Sequence, residues 1–177
     1  MFRAAAAILI AALFGAPAIA ETYRDRSVPM QSVKVDLDRY YGKWYEIARF
    51  PNLFETDCVG VTAEYAPRSD GKIQVINTCR KKTLDGTIDK IEGEAWVVAP
   101  GQLKVTFVPW LPFAKGDYWV LHVEPDYSVA VVGEPKGKTG WILARKPGID
   151  KAHLDRAMAA LRANGYDTTK LYYVPQR

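Results

Sequence analysis

The chain has 177 residues, 49% of them hydrophobic, and a formal net charge of +4 at pH 7, which suits one domain with a sizeable core. The basic excess is scattered. Its one cluster, Arg80-Lys81-Lys82, reads as a solvated loop end or a weak attraction for anionic headgroups, so no nucleic-acid partner is expected. With two cysteines and two histidines, no metal-ligand spacing arises, and no glycine-rich loop precedes a helix to cradle phosphate, so neither metal nor cofactor is expected.

Taken in chain order, Arg3 followed by the apolar run Ala4 to Phe14 and then Ala18-Ile19-Ala20 has the pattern of a secretory signal peptide over residues 1–20. A retained anchor is the alternative, but the apolar run falls short of the ~20 residues a span needs. Residues 21–177 then form one domain, of which 21–35 are an extended N-terminal arm. The expected location is periplasmic or secreted, soluble after cleavage.

From Trp44 onward short strands follow one another at regular spacing, the mark of an all-β sandwich or barrel. They are expected over 43–50, 59–65, 72–78, 87–98, 103–108, 118–123, 129–133 and 140–145. Alternation is plainest where Leu103, Val105 and Phe107 interleave with Lys104 and Thr106. Around the turn Pro67-Arg68-Ser69-Asp70-Gly71, residues pair so that Cys58 falls opposite Cys79, and in an oxidising compartment the two form a disulfide. A free reactive thiol is the sharper alternative. Near the C-terminus Leu154, Ala157, Met158 and Leu161 make one apolar stripe, so a helix is expected over 151–164, with Asp150 as N-cap and Gly165 as its stop. Leu171 to Val174 reads as a short ninth strand.

Gly42-Lys43-Trp44 sits where a polar approach turns into an aromatic strand. The glycine permits a bend or close approach, and the tryptophan buries a large ring whose N–H needs an acceptor. This resembles the Gly-x-Trp motif that opens the first strand of the lipocalin barrel, and the continuation through Glu46, Ala48 and Arg49 is similar to the bacterial, apolipoprotein D-like branch. Gly116-Asp117-Tyr118 resembles the family's second motif, with glycine in place of its threonine. Trp141 to Pro147 resembles the third, whose arginine, here Arg145, packs on the first-strand tryptophan, Trp44. The resemblance covers residues 36–175. It implies an eight-stranded antiparallel up-and-down β-barrel with one C-terminal helix packed outside. Gly42, Trp44, Asp117, Tyr118 and Arg145 are then structural residues. It also implies binding, storage or transport of a small hydrophobic ligand, a fatty acid or lysophospholipid, in the bacterial envelope. Bacterial members are often tethered through a lipid-modified cysteine, but no cysteine precedes Cys58.

Catalysis has little to stand on. His153 reads as a helix surface residue, and His122, within a strand, as a hydrogen-bonded wall residue facing either the cavity or solvent. The serines fall in the arm or in turns. A lipocalin-fold enzyme of the lipid isomerase or de-epoxidase type, using Cys58 or His122, is the alternative function. An interaction module is a third. Binding has more support. In an up-and-down barrel the connections after odd-numbered strands share one end, so the apolar loops around Phe54 and around Trp110 and Phe113 should meet at the mouth. There they form a ligand entrance or a membrane-facing rim; the alternative is an inward plug. Candidate ligand-binding residues are Tyr45, Arg49, Phe54, Tyr65, Trp96, Phe107, Trp110, Phe113, Tyr118 and Val120, with Arg49 or a tyrosine holding the ligand's polar end.

Overall fold

The alternating stretches form β1 (Gly42–Arg49), β2 (Cys58–Pro67), β3 (Ile73–Lys81), β4 (Ile88–Ala99), β5 (Gln102–Thr106), β6 (Gly116–Val123), β7 (Val129–Gly133) and β8 (Gly140–Ala144). A computed structural model describes residues 22–176; the expected signal peptide lies outside them. Each strand pairs antiparallel with the next, and β1 pairs with both β2 and β8, so the eight close into a barrel. Closure removes the sheet edges. β9 (Tyr172–Tyr173) adds to the upper part of β1 at Ala48 and Arg49. There β2 has already left β1, with which it pairs only over Gly42 to Tyr45. The chain end fills that seam: Gln176 Nε2 donates to the carbonyls of Glu46 (2.6 Å) and Val61 (3.0 Å).

Two apolar cores follow from the period-two alternation. The inner one gathers Trp44, Tyr65, Val75, Ala95, Leu103, Val120, Val132 and Leu143. The outer one lies under α2 (Lys151–Ala163), where Ala157 and Leu161 pack with Ile47, Leu121, Val131 and Ile142. Asp150 caps that helix by accepting from the His153 N–H, satisfying one of its unpaired first-turn donors. The N-terminal arm straps the same face. Tyr23 stacks on Phe50 and Phe50 on Tyr166, each at 5.0 Å. Buried Arg24 donates to the Asn164 carbonyl just past the helix end (2.6 Å) and to the carbonyls of Pro135 and Val28.

A short helix α1 (Leu37–Tyr40), capped by Asp36, closes the floor. One turn is too short to show a helical stripe, and the sequence reading contains no helix there. Above it Gly42 turns into β1 at φ +93°, a conformation that favours glycine. Arg145 lies over Trp44, its Cζ 3.8 Å from the ring centroid. It donates to the carbonyls of Lys43 (2.8 Å), Arg39 (2.6 Å) and Tyr40 (3.1 Å). Asp117, on the outer face, pairs with Lys104 at 2.6 Å.

Cys58 and Cys79 form a disulfide with a Cα–Cα distance of 5.4 Å. The expected register is corrected, however. Cys58 stands opposite Lys81, and a bulge between Val59 and Thr62 shifts the pairing. Gly60 sits in that bulge at φ +56°. The sulfurs therefore bridge a diagonal, which the extra residue brings within reach. The bond spans 21 residues, so reducing it should lower unfolding stability by about 3 kcal/mol. Denaturation with and without reductant measures this, and a change under 1 kcal/mol would mean that the C-terminal seam alone holds β2 in place.

Candidate functional site

The barrel interior is lined by residues that alternate inward from all eight strands. Tyr65, Phe107, Tyr118 and Val120 of the expected set lie there. Two others do not. Tyr45 pairs with Ala144 on the helix side and packs into the outer core. Trp96 pairs with Lys104 while its neighbour Ala95 occupies the inner core, so its ring faces outward, under the Lys115 ammonium at 5.2 Å. Both strands carry apolar side chains on both faces, and composition alone does not tell inward from outward. The inner-face residues Ala63, Asn77, Phe107, Tyr118 and Trp141 keep partial exposure.

At the floor, three tyrosines from distant parts of the chain meet. The Tyr118 hydroxyl lies 2.8 Å from that of Tyr40 and 2.9 Å from that of Tyr65. Burial, and then the neighbouring phenols, push the Tyr118 hydroxyl well above its ordinary pKa, so the cluster is neutral. Tyr40 and Tyr65 are shifted upward for the same first reason.

Toward the mouth, β1 carries a bulge between Glu46 and Ala48. Residues three apart on a regular strand face opposite sides; the extra residue turns Glu46 and Arg49 to the same, inner side. The Arg49 guanidinium donates to Glu46 Oε1 (2.8 Å) and to the carbonyls of Glu55 (2.8 Å) and Cys58 (3.1 Å), and lies over the Tyr172 ring at 5.0 Å. The Glu55 carboxylate turns inward from the loop and accepts from Trp141 Nε1 at 3.2 Å. Burial, reinforced by the adjacent Glu55 carboxyl, raises Glu46 well above the usual carboxylate range against the pull of Arg49. The cluster sets one guanidinium against two buried carboxyl groups. Three of the five Arg49 N–H donors go to the protein, so a ligand's acid group held there would compete with Glu46 for this cation. Glu46, Glu55, Asn77 and Trp141 were not among the expected site residues. A charged Glu46 three residues before Arg49 would have signalled them only if the bulge had been foreseen.

In the loops after β1 and β5, Phe54, Trp110 and Phe113 are 85%, 72% and 84% exposed, so none of them folds inward as a plug. Leu53, beside Phe54, is exposed too. These residues belong to the connections after β1 and β5, which the topology gathers at one end. At this end a cavity of about 450 Å³ opens between Arg49, the loop from Pro51 to Val59, Lys82 and Tyr172. Neither residue of the enzymatic alternative offers free chemistry in the barrel. Cys58 is bridged. His122 pairs with Val131 on the outer face and contacts Glu124 at 3.3 Å, where Arg156 of α2 also binds. Among the described residues no group of histidine, cysteine and carboxylate side chains could hold a metal ion, and no helix is long and apolar enough to cross a membrane.

Comparison with known proteins agrees with this geometry. Residues 35–176 match the family model described as a lipocalin-like domain. The chain is 37% identical over 157 residues to temperature-induced lipocalin-1 of Arabidopsis thaliana, covering 83% of each chain. It is 38% identical over 146 residues to the outer membrane lipoprotein Blc of Vibrio cholerae, covering 80% of this chain and 83% of that one. Apolipoprotein D of Macaca fascicularis is 33% identical over 96% of this chain and 94% of its own. Insecticyanin from the tobacco hornworm Manduca sexta has the same fold, with a TM-score of 0.66 at 20% identity over 84% of this chain and 85% of its own. A closed eight-stranded barrel with its floor under Trp44 and its helix outside, matched over residues 35–176, makes this chain a member of the lipocalin family.

Proposed function

We propose that the protein binds and carries a single-chain lipid, a fatty acid or lysophospholipid, in the bacterial cell envelope, and exchanges it at a membrane surface through the barrel mouth. The coarser part, a small hydrophobic ligand, follows from membership of the family. The observation that carries the finer reading is the exposure of Phe54, Trp110 and Phe113 on loops at one end of a barrel whose inner face is apolar. Exposed aromatic side chains gathered at one end suit contact with an apolar partner, and each acyl CH₂ drawn from water into the barrel is worth about 0.8 kcal/mol. The relation to an outer membrane lipoprotein and the signal-peptide pattern support an envelope location. The engagement of Arg49 by Glu46 and by two backbone carbonyls favours binding by the chain, with any charged headgroup left at the mouth.

Native mass spectrometry of delipidated protein is the test. Stoichiometric uptake of palmitate or lysophosphatidylcholine at micromolar concentration is expected, and no uptake of either sinks the proposal. Trp110→Ser with Phe113→Ser should slow transfer from vesicles roughly tenfold or more while leaving equilibrium affinity within about threefold, because the rim lies outside the lining.

A further inference from the structure

The loop between β1 and β2 inverts the usual sorting of side chains. Of residues 53–57, Leu53, Phe54, Thr56 and Asp57 are exposed, the first two at 91% and 85%. The one side chain that turns inward is a carboxylate, Glu55, at 16% exposure. Burying a charge is costly unless it is paired and hydrogen-bonded. The cation it meets, Arg49, already holds Glu46 at 2.8 Å. Glu55 is thus a second acid brought in beside one guanidinium, while two large apolar neighbours stay in water.

What receives Glu55 is built for an anion. Asn52 Nδ2 and Trp141 Nε1 (3.2 Å) both donate to one atom, Glu55 Oε2, and Arg49 Nε lies 3.9 Å from it. Trp141 belongs to the inner wall, on β8, so the seat borders the path of a ligand chain. Arg49, Asn52 and Glu55 also line the cavity of about 450 Å³ at this end of the barrel, which gives the Glu55 side chain room to leave. Its backbone carbonyl accepts separately from Arg49 at 2.8 Å, so the side chain can swing while the loop stays anchored.

We propose that Glu55 is an internal stand-in for the acid group of a fatty acid: it fills a carboxylate seat formed by Asn52, Trp141 and Arg49, and yields it to the ligand's own carboxylate. This rests on the carrier reading above and chooses the fatty acid from its two ligands. The exchange replaces one carboxylate by another, so the buried charge is unchanged and the donors stay paired. Glu55 is the acid that yields, because it lies 3.9 Å from Arg49 where Glu46 lies 2.8 Å away. A phosphocholine headgroup gains nothing from the seat, since it would bring a quaternary ammonium against the guanidinium.

The test compares palmitate with methyl palmitate, which has the same chain and no charge, in competition against a fluorescent acyl probe on the delipidated protein. In Glu55→Ala the ratio of palmitate to ester affinity should rise roughly tenfold, the worth of one charge-assisted hydrogen bond freed from an internal competitor. Adding Trp141→Phe, which keeps a ring and loses the donor, should cancel that rise. The indole N–H resonance of Trp141, identified by its loss in Trp141→Phe, reads the seat directly. Glu55→Ala should move it toward the position of an unbonded indole, and palmitate, but not its methyl ester, should move it back. An unchanged ratio in Glu55→Ala, or a resonance that palmitate does not restore, overturns the seat and leaves Glu55 as a loop anchor. Failure of palmitate, methyl palmitate and lysophosphatidylcholine alike to bind overturns the carrier reading, and the seat with it.

Discussion

Replacing Trp44 with alanine should destabilise the protein by about 3–5 kcal/mol, the range for removing a large buried aromatic side chain. The ring is fully buried at the base of the inner core, with Tyr40 packed 4.9 Å away. Its Nε1 donates to the Tyr40 carbonyl at 2.8 Å, and the Arg145 guanidinium covers its other side. Alanine deletes the packing, the hydrogen bond and the cation–π partner together, and opens the floor to water. Trp44→Phe should lose far less, about 1–2 kcal/mol, because it keeps an aromatic face for Arg145. The Tyr40 carbonyl would still accept from Arg145 at 3.1 Å. Thermal unfolding reads both. A loss under 1 kcal/mol for Trp44→Ala would show that α1 and Arg145 close the barrel without the ring.

The second large effect is expected at the mouth. Arg49→Met should cost about 3–5 kcal/mol at neutral pH, because it leaves two buried carboxyl groups without the cation they face. The side chains of Glu46 and Glu55 are only 5% and 16% exposed, and Arg49 is the cation both of them face. The pH dependence has a defined sign. Burial raises the Glu46 carboxyl well above its ordinary 4.5 in the folded protein, so between those values the folded chain holds a proton that the unfolded chain has released. Stability contributed by this group is therefore fully present below pH 4.5 and falls as pH rises through the folded value. Glu46→Gln, an isosteric copy of the protonated form, should remove that slope. The double variant Glu46→Gln, Arg49→Met should recover part of the loss, since one buried carboxyl has been neutralised. Denaturant titrations from pH 4 to pH 9 distinguish these cases. An unchanged slope in Glu46→Gln would mean that Glu46 is ionised in the fold and that Arg49 alone compensates both carboxylates.

Both predictions depend on residues from a segment of eight, Gly42–Arg49, yet only one of them could be read from the chain. Trp44 announces itself by its glycine two places earlier and by the distant Arg145. The Glu46–Arg49 pair does not, because regular alternation puts residues three apart on opposite faces, and the pair exists only where a bulge breaks the alternation. The same device moved the disulfide off the expected register, through the bulge at Gly60.

By itself the sequence determined the strand order, the helix with its Asp150 cap, the sidedness of the loops and the family, because periodicity, capping and turn chemistry are local and survive without knowledge of the partner strand. The tertiary structure alone decided which wall residues face inward, sending Tyr45 and Trp96 outside. It also decided that Arg49 turns inward to bind Glu46 and two backbone carbonyls and that Tyr40, Tyr65 and Tyr118 meet at the floor. Those outcomes rest on bulges, on strand register and on contacts between residues as much as 78 positions apart, none of which leaves a mark in local composition.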